Sequence, residues 1–262
     1  MNFRPCIDIH NGKVKQIVGG TLKDAGDVAA ENFVSDYDAA WYAKLYKKLG
    51  LKGGHVILLN SKDSPYYEAT KEEAMSALAA YAGGLMVGGG ITSENAAEFI
   101  EAGASHVVVT SFVFCDGKIR YDRIEELVKA VGTEHLVIDL SCRKKDDRFY
   151  VVTDRWQTFT EEELNAELIA KLEQYCDEFL IHAVDAEGKK QGVSEEVLKI
   201  MAGSNRKITY AGGVGSFEDI ETIRTLGQGK VDFTIGSALD IFGGEMNFEE
   251  VLKCTYSTCI FG

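Results

Sequence analysis

The sequence predicts a single (βα)8 barrel of 262 residues, and three observations support this fold. Eight short apolar runs alternate with helical patterns along the whole chain. The runs are continuous rather than alternating in polarity, as expected for parallel strands that are buried on both faces. No stretch rich in Pro, Gly or Ser divides the sequence, so we expect residues 1–262 to form one domain.

The eight predicted strands are spread evenly along the sequence, four in each half. They cover residues 6–9, 55–59, 85–87, 106–109, 136–139, 179–183, 207–211 and 233–236. Even spacing with a helical pattern after each strand is typical of a closed barrel rather than of an open, doubly wound sheet.

Two of the intervening helices have recognisable starts. In residues 161–175, leucines recur at helical spacing behind a Thr160-x-x-Glu163 pattern typical of a capping box. Ser216, with Asp219 three positions later, indicates the start of another helix in a similar way.

An internal repeat predicts two half-barrels, of about residues 1–131 and 132–262. Three features recur after 124 to 131 residues, close to half of the chain: Asp8 and Asp139, Gly89 and Gly213, and Ser111 and Ser237. Because repeats of this kind reflect repeated structure, we expect equivalent features to face each other across the ring.

The composition excludes several classes of partner. Asp plus Glu number 41 and Lys plus Arg 28, so the net charge is −13, which repels nucleic acids and anionic membranes. No apolar run approaches the ~20 residues of a membrane span, and no secretion signal opens the sequence. We therefore expect a cytoplasmic protein with neither nucleic acid nor membrane as a partner.

The six cysteines predict free thiols. They include no Cys-x-x-Cys pair and no His at the spacing of a metal ligand, so the sequence indicates neither a metal site nor a redox motif.

Two aspartates are the strongest candidates for catalysis. Asp8 and Asp139 end the first and fifth predicted strands, at the barrel face where active sites lie. These strands are four positions apart in a ring of eight, so the two aspartates should lie on opposite walls of one cavity. Two opposed carboxylates suit a reaction that needs one general acid and one general base.

Glycine-rich turns follow the third and seventh predicted strands, and both precede predicted helices. Backbone N–H groups in such turns bind phosphate without a basic side chain, which suits a protein of net charge −13. Short hydroxyl-containing segments after the fourth and eighth strands would complete each site. The predicted phosphate-binding residues are Gly89, Gly90, Thr110, Ser111, Gly212, Gly213, Gly236 and Ser237.

These features together predict acid–base chemistry on a sugar derivative with a phosphate at each end. The ligand would lie across the barrel mouth, with Asp8 and Asp139 on either side of its middle. A dinucleotide site is excluded because the turn after Gly88 lacks the third glycine, and no acidic residue ends a strand about twenty positions later.

Longer stretches identify a family. Residues 6–10 (CIDIH), 12–20 (GKVKQIVGG), 138–144 (IDLSCRK), 156–158 (WQT) and 239–244 (LDIFGG) resemble the isomerase branch of the histidine-biosynthesis barrels. The resemblance covers nearly the whole chain. It implies an Amadori rearrangement of a bisphosphorylated ribosyl-formimino-aminoimidazole carboxamide, from aminoaldose to aminoketose, with no cofactor and no metal. Separately, we expect the protein to be a monomer.

The resemblance also implies roles for single residues. The residue at Asp139 acts as the acid that opens the ribose ring, and the residue at Asp8 as the base that removes the C2′ proton. Gly20, Arg143 and Trp156 would contact the substrate. Trp156 could instead anchor a loop, and Arg143 could instead pair with a surface carboxylate.

Three positions depart from the commoner bacterial pattern of the family: Asn60, Thr92 and Ala183. No side-chain contact is expected by resemblance at these positions.

Two other functions fit part of the evidence. The sister cyclase of the family would use the same carboxylates with ammonia from a glutaminase partner. A non-catalytic barrel that binds phosphosugars would need the glycine turns but not both aspartates. The stretches 138–144 and 156–158 favour the isomerase.

Overall fold

The computed structural model describes residues 1–17, 21–22, 26–186 and 192–256 as an α/β fold. The strands of these residues are β1 (Cys6–His10), β2 (Lys13–Ile17), β3 (Glu31–Val34), β4 (Gly54–Leu58), β5 (Leu85–Gly88), β6 (Val107–Val109), β7 (Phe114–Cys115), β8 (Lys118–Ile119), β9 (Leu136–Asp139), β10 (Cys142–Lys145), β11 (Arg148–Thr153), β12 (Thr158–Glu163), β13 (Glu178–His182), β14 (Lys207–Ala211) and β15 (Val231–Phe233).

Eight α-helices occur in the same described ranges, and α1 follows the first group of three strands. They are α1 (Ala39–Lys48), α2 (Tyr67–Ala80), α3 (Ala96–Glu101), α4 (Tyr121–Val131), α5 (Ala166–Leu172), α6 (Glu195–Met201), α7 (Phe217–Leu226) and α8 (Phe248–Tyr256). Four helices begin at a polar side chain that accepts a hydrogen bond from the backbone of the first turn: those capped by Asp38, Asn165, Ser194 and Ser216.

The main sheet is a curled, mostly parallel sheet in the order β15-β14-β13-β9-β6-β5-β4-β1-β2-β3. The strands from β15 to β1 pair in parallel, while β2 and β3 extend the sheet by antiparallel pairing. Each parallel strand is followed by one of the eight helices, which is the arrangement of a (βα)8 or TIM barrel.

The last parallel strand is bonded to the segment that precedes the first. Phe3 forms a parallel bridge with Phe233. The Arg4 N–H donates to Phe233 O at 2.8 Å, and the Phe233 N–H donates to Asn2 O at 3.1 Å. A buried ion pair supports this junction, because the Arg4 side chain donates from Nε and Nη2 to Asp232 Oδ2 at 2.8 and 2.7 Å.

Alternate residues of the strands face opposite sides of the sheet, and the two sides differ in chemistry. Ile7, Ile9 and Ile138 are fully buried in the main apolar cluster, which the helices also join. Asp8 and Asp139, one position away, are half-buried on the other side. This alternation directs both aspartates towards the inside of the curled sheet.

The eight predicted parallel strands are present, but the last is displaced. The prediction placed it at 233–236, whereas β15 is Val231–Phe233. Asp232 is the central residue of β15, a position where an Asp is ordinarily unfavourable. Asp232 is buried nevertheless, since Arg4 neutralises it.

The predicted helix over 161–175 is also wrong at its start. Residues 158–163 form β12, and the helix begins after Asn165, whose side chain accepts from the Leu168 N–H at 2.9 Å. The Thr160 hydroxyl donates to Val151 O at 2.8 Å, so it contributes to strand pairing instead of capping a helix. The helix start predicted at Ser216 is confirmed.

Three additional groups of strands lie between a parallel strand and its helix. β2 and β3 follow β1, β7 and β8 follow β6, and the three-stranded sheet β10-β11-β12 follows β9. All leave from the carboxyl ends of parallel strands, so they surround the end of the barrel where Asp8 and Asp139 lie.

Candidate active site

Asp8 lies on β1 beside a buried glutamine of the neighbouring strand β2. Gln16 is 4% exposed, and its Nε2 donates to Asp8 Oδ2 at 3.0 Å. The same nitrogen lies 3.8 Å from the sulfur of Cys6, which is two residues before Asp8 on β1. One orientation of the Asp8 carboxylate is therefore held from an adjacent strand.

Asp139 ends β9 and accepts three hydrogen bonds. The Ser141 N–H and hydroxyl donate to Oδ1 at 2.7 and 2.8 Å, and the Thr110 hydroxyl donates to Oδ2 at 3.0 Å. Burial raises the pKa of Asp139, and the hydrogen bonds from Ser141 and Thr110 and the nearby His182 only partly oppose this. The protonated form is thus favoured more than in an ordinary aspartate, as a general acid requires.

β1 and β9 are the first and fifth parallel strands around the sheet. The two carboxylates are therefore carried by opposite strands of the ring.

The two glycine turns have the same backbone conformation. Gly89 and Gly212 have φ of 97° and 99°, and Gly90 and Gly213 have φ of 71° and 75°. A Cβ on Gly89 would lie 2.1 Å from Leu58 O, and one on Gly212 would lie 2.7 Å from Ala183 O. Both turns thus require glycine by conformation and by close approach to the preceding parallel strand.

In the structure, the glycine equivalent to Gly89 in the second turn is Gly212. The sequence spacing had instead suggested Gly213, one residue later. The reason is that Gly88 and Ala211 are the last residues of their strands, so the first residue after each strand is the equivalent one.

The two turns lead to their helices differently. After the second, Ser216 directly precedes α7, as the sequence predicts. After the first, residues 92–95 form a separate turn, in which Asn95 accepts from the Thr92 N–H at 2.8 Å and donates to Gly90 O at 3.1 Å. The short helix α3 starts only at Ala96.

The other four predicted phosphate-binding residues follow β6 and β15. Ser111 and Ser237 are exposed and Thr110 and Gly236 are half-buried. The Thr110 hydroxyl is used by Asp139, a contact that the sequence analysis did not foresee. A Cβ on Gly236 would lie 2.5 Å from Gln16 Oε1, so this glycine adjoins the group that holds Asp8.

Trp156 lies between β11 and β12, and its ring meets the ring of His182 edge to face at 4.4 Å. Asp154, Arg155 and Trp156 all have positive φ, from 50° to 66°. Three successive non-glycine residues in this region are strained. Arg155 Nη2 reaches the carbonyl oxygen of Leu59 at 3.4 Å, so this loop extends from the β9 side to the end of β4.

Arg143 pairs with a carboxylate, the second of the two roles considered for it. Its Nε donates to Asp185 Oδ1 at 3.2 Å, and its Nη1 donates to Trp156 O at 3.4 Å. Gly20, the remaining predicted substrate contact, lies outside the described residues.

Sequence reasoning missed Gln16, Ser141 and His182. Ser141 could have been found from the Asp-x-Ser spacing, because Asp side chains often accept from the residue two positions later. Gln16 lies on β2, which a two-residue Asn11-Gly12 turn with φ of 52° and 68° places beside β1. That dipeptide is a hairpin signal from which the position of β2 could have been predicted.

A different cluster lies at the opposite end of the barrel. His106, Asp177 and Glu178 bring their ligand atoms within 4.8 Å of one another. Lys207 Nζ already lies 3.6 Å from Asp177 and 3.2 Å from Glu178, and Arg4 Nη2 lies 3.5 Å from Glu178. Two side-chain cations therefore balance these carboxylates.

Comparison with known proteins decides the family. The model of the family described as "Histidine biosynthesis protein" matches residues 3–247. The chain belongs to this histidine biosynthesis family. The match agrees with the resemblance found in the sequence, and its range includes Asp8 and Asp139.

Relatives in the histidine biosynthesis family share much of the sequence. A protein of Medicago truncatula is 52% identical over 257 residues, covering 96% of this chain and 81% of its own, and one of Neurospora crassa is 48% identical, covering 93% of each. One of Saccharomyces cerevisiae is 43% identical, covering 96% and 97%. All three are named 1-(5-phosphoribosyl)-5-((5-phosphoribosylamino)methylideneamino)imidazole-4-carboxamide isomerase.

The Medicago truncatula relative is named as chloroplastic, so the family is not confined to the cytoplasm that we expected for this chain. Within the described ranges, the helices are all too short or too polar to cross a bilayer.

Proposed function

We propose that this chain is the aldose–ketose isomerase of histidine biosynthesis, an intramolecular oxidoreductase acting on the bisphosphorylated ribosyl-formimino-aminoimidazole carboxamide. The observation that carries the proposal is the pair Asp8 and Asp139 on opposite strands of the ring, with the pKa of Asp139 raised by burial. Relatives at 43% to 52% identity bear the name of this isomerase, which supports the same substrate here.

In the proposed reaction, Asp139 is the acid. Its proton passes to the ring oxygen of the ribose, the bond between that oxygen and C1′ breaks, and the nitrogen lone pair forms a C1′=N double bond. Asp139 becomes a carboxylate, which Ser141 and Thr110 stabilise by the three hydrogen bonds that they donate.

Asp8 is the base of the next step. Its carboxylate removes the C2′ proton, and the electron pair of that C–H bond forms a C1′=C2′ double bond while the C1′=N bond returns to a single bond. The resulting enaminol becomes the ketone when its hydroxyl loses a proton and C1′ gains one. C1′ is reduced and C2′ is oxidised, so the atoms and electrons balance within the substrate.

The two glycine turns support a ligand with a phosphate at each end. They follow the third and seventh parallel strands, a quarter turn away from those of Asp8 and Asp139. We infer that the first turn with Ser111 binds one phosphate and the second with Ser237 binds the other. Their matching φ angles also support the proposal that two half-barrels, of about residues 1–131 and 132–262, form the fold.

We further expect the protein to act as a cytoplasmic monomer, without a cofactor. Sedimentation equilibrium at the concentration of the activity assay tests the oligomeric state. A mass near 28.7 kDa agrees with a monomer, whereas twice that mass contradicts it.

The catalytic assignment is tested by replacing one carboxylate at a time. Asp8→Asn and Asp139→Asn should each lower kcat by roughly 10² to 10⁴, because each removes a proton-transfer group. Asp122→Asn is the control, since Asp122 is exposed and pairs only with Arg120 among the described residues. If either site variant kept a kcat near that of the unchanged protein while remaining folded, that residue would have no part in the mechanism.

A further inference from the structure

Gln16 is buried beside the proposed base and lies within the stretch 12–20 that carries the family resemblance, but that resemblance assigns it no role. Its Nε2 faces two acceptors, Asp8 Oδ2 at 3.0 Å and Cys6 Sγ at 3.8 Å. Because only the amide nitrogen can donate, these acceptors determine which way round the amide lies. Oε1 must then point to the other side.

On that other side is Gly236, in the segment after β15. A Cβ at this position would lie 2.5 Å from Gln16 Oε1, which is closer than atoms can approach without movement. The next nearest atoms are the amide carbon of Gln16 at 3.5 Å and Cys6 Sγ at 3.8 Å, both at ordinary contact distances.

The backbone itself does not require glycine at this position. Gly236 is absent from the glycines with positive φ, whereas Gly89, Gly90, Gly212 and Gly213 are all among them. A residue with a side chain could therefore adopt its conformation. Its lack of a side chain leaves room for the amide of Gln16.

We propose that Gln16 is a positioning residue for Asp8, and that Gly236 is needed because the Gln16 amide occupies the space beside it. The inference rests on the proposed function, in which Asp8 is the base. The hydrogen bond from Gln16 Nε2 to Asp8 Oδ2 restricts the orientation of the carboxylate. A base that must meet a single C–H bond benefits from that restriction.

The inference changes the role of Gly236. The sequence predicts that Gly236 binds phosphate, in which case a substitution should raise KM. If Gly236 instead leaves room for Gln16, the added methyl group pushes the amide away from Asp8, and the loss should appear in kcat.

A double-mutant cycle separates the two roles, with KM and kcat measured on the bisphosphorylated aminoaldose. Gln16→Ala and Gly236→Ala should each lower kcat by roughly tenfold or more, since a hydrogen bond to a charged group is lost, and should leave KM within about twofold. In the double variant the methyl group meets no amide. Adding Gly236→Ala to Gln16→Ala should therefore cost less than about twofold in kcat.

Two further variants make the cycle specific. Gln16→Met keeps the length of the side chain without an N–H group, so it should lower kcat as Gln16→Ala does but without leaving a cavity. Gly203→Ala is the matched control, because among the described residues its Cβ would meet only Ile200 O at 3.5 Å. Gly203 lies between α6 and the amino end of β14, away from the carboxyl ends of the strands where Asp8 and Asp139 lie. Its kcat and KM should equal those of the unchanged protein.

Melting temperatures of all variants distinguish lost folding from lost positioning. The inference is overturned if Gln16→Met has an unchanged kcat in a folded protein, if Gly236→Ala raises KM alone, or if the two losses in kcat simply multiply. If the unchanged protein does not turn over the substrate, the proposed function fails instead.

Discussion

Arg4 is expected to be the most costly single charge to remove from this fold. It donates to Asp232 at 2.7 and 2.8 Å and lies 3.5 Å from Glu178, and these carboxylate residues are 6% and 2% exposed. Among the described residues, Arg4→Met would leave Asp232 with only the Asn2 backbone and side-chain donors and the terminal amine at 4.0 Å. Removing one partner of a buried ion pair costs about 3–5 kcal/mol, because the remaining charge is buried without compensation.

Urea unfolding at pH 7 measures this cost. Lys118→Met is the matched control, since Lys118 and Glu161 form a pair at 3.7 Å with side chains 65% and 72% exposed, worth below about 1 kcal/mol. Arg4→Met combined with Asp232→Asn should recover part of the loss, because the second change removes the buried charge. If Arg4→Met cost no more than the Lys118 control, the account of how the ends of the sheet are joined would be refuted.

Three more predictions concern pKa values and close packing. Ser141→Ala removes one hydrogen-bond donor to Asp139, so the pKa of that carboxyl should rise further. The basic limb of the pH profile of kcat/KM should then move to higher pH. If the limb did not move, Asp139 would be excluded as the acid. Burial lowers the pKa of His55 to about 4, whereas the pKa in the unfolded chain is about 6.5. The unfolded chain therefore binds a proton more readily as the pH drops below 6.5, and the free energy of unfolding should decrease by about 2 kcal/mol between pH 7 and pH 5. His55→Phe should lack that loss in urea titrations at the two pH values, and an equal loss would contradict the assignment. Gly213→Val should raise KM sharply, because a Cβ at this position would lie 2.6 Å from Gly192 O and 2.8 Å from Ala186 Cβ, and the φ of 75° disfavours a side chain. An unchanged KM in a folded variant would count against the second phosphate site.

Much of the barrel could be predicted because its parallel strands are continuous apolar runs. The exceptions have physical causes that depend on distant parts of the chain. The burial of Asp232 at the centre of β15 depends on Arg4, more than two hundred residues earlier. Thr160 and Glu163 fit a capping box, but pairing between β11 and β12 determines their conformation.

The site was predictable where one residue type at a strand end carries the chemistry. Asp8, Asp139 and the glycine turns meet that condition. Gln16 does not, because its importance arises from the pairing of β1 with β2. The Asn11-Gly12 turn that joins these strands is a local hairpin signal that the sequence analysis did not use. The role of Asn60 also depends on residues that are distant in the sequence. Its side chain accepts hydrogen bonds from Asn11 N and Thr70 Oγ1 and donates to Asn11, Asp27 and Ser64. These bonds join several loops near the barrel mouth.

The central claim is that this chain alone isomerises the bisphosphorylated aminoaldose. The most direct test incubates the purified protein with that substrate, without ammonia or any partner protein, and follows the reaction by proton NMR and mass spectrometry. We predict an aminoketose of unchanged mass. Binding of the substrate without conversion would contradict the account, and conversion only after addition of an ammonium salt would indicate the sister cyclase reaction instead.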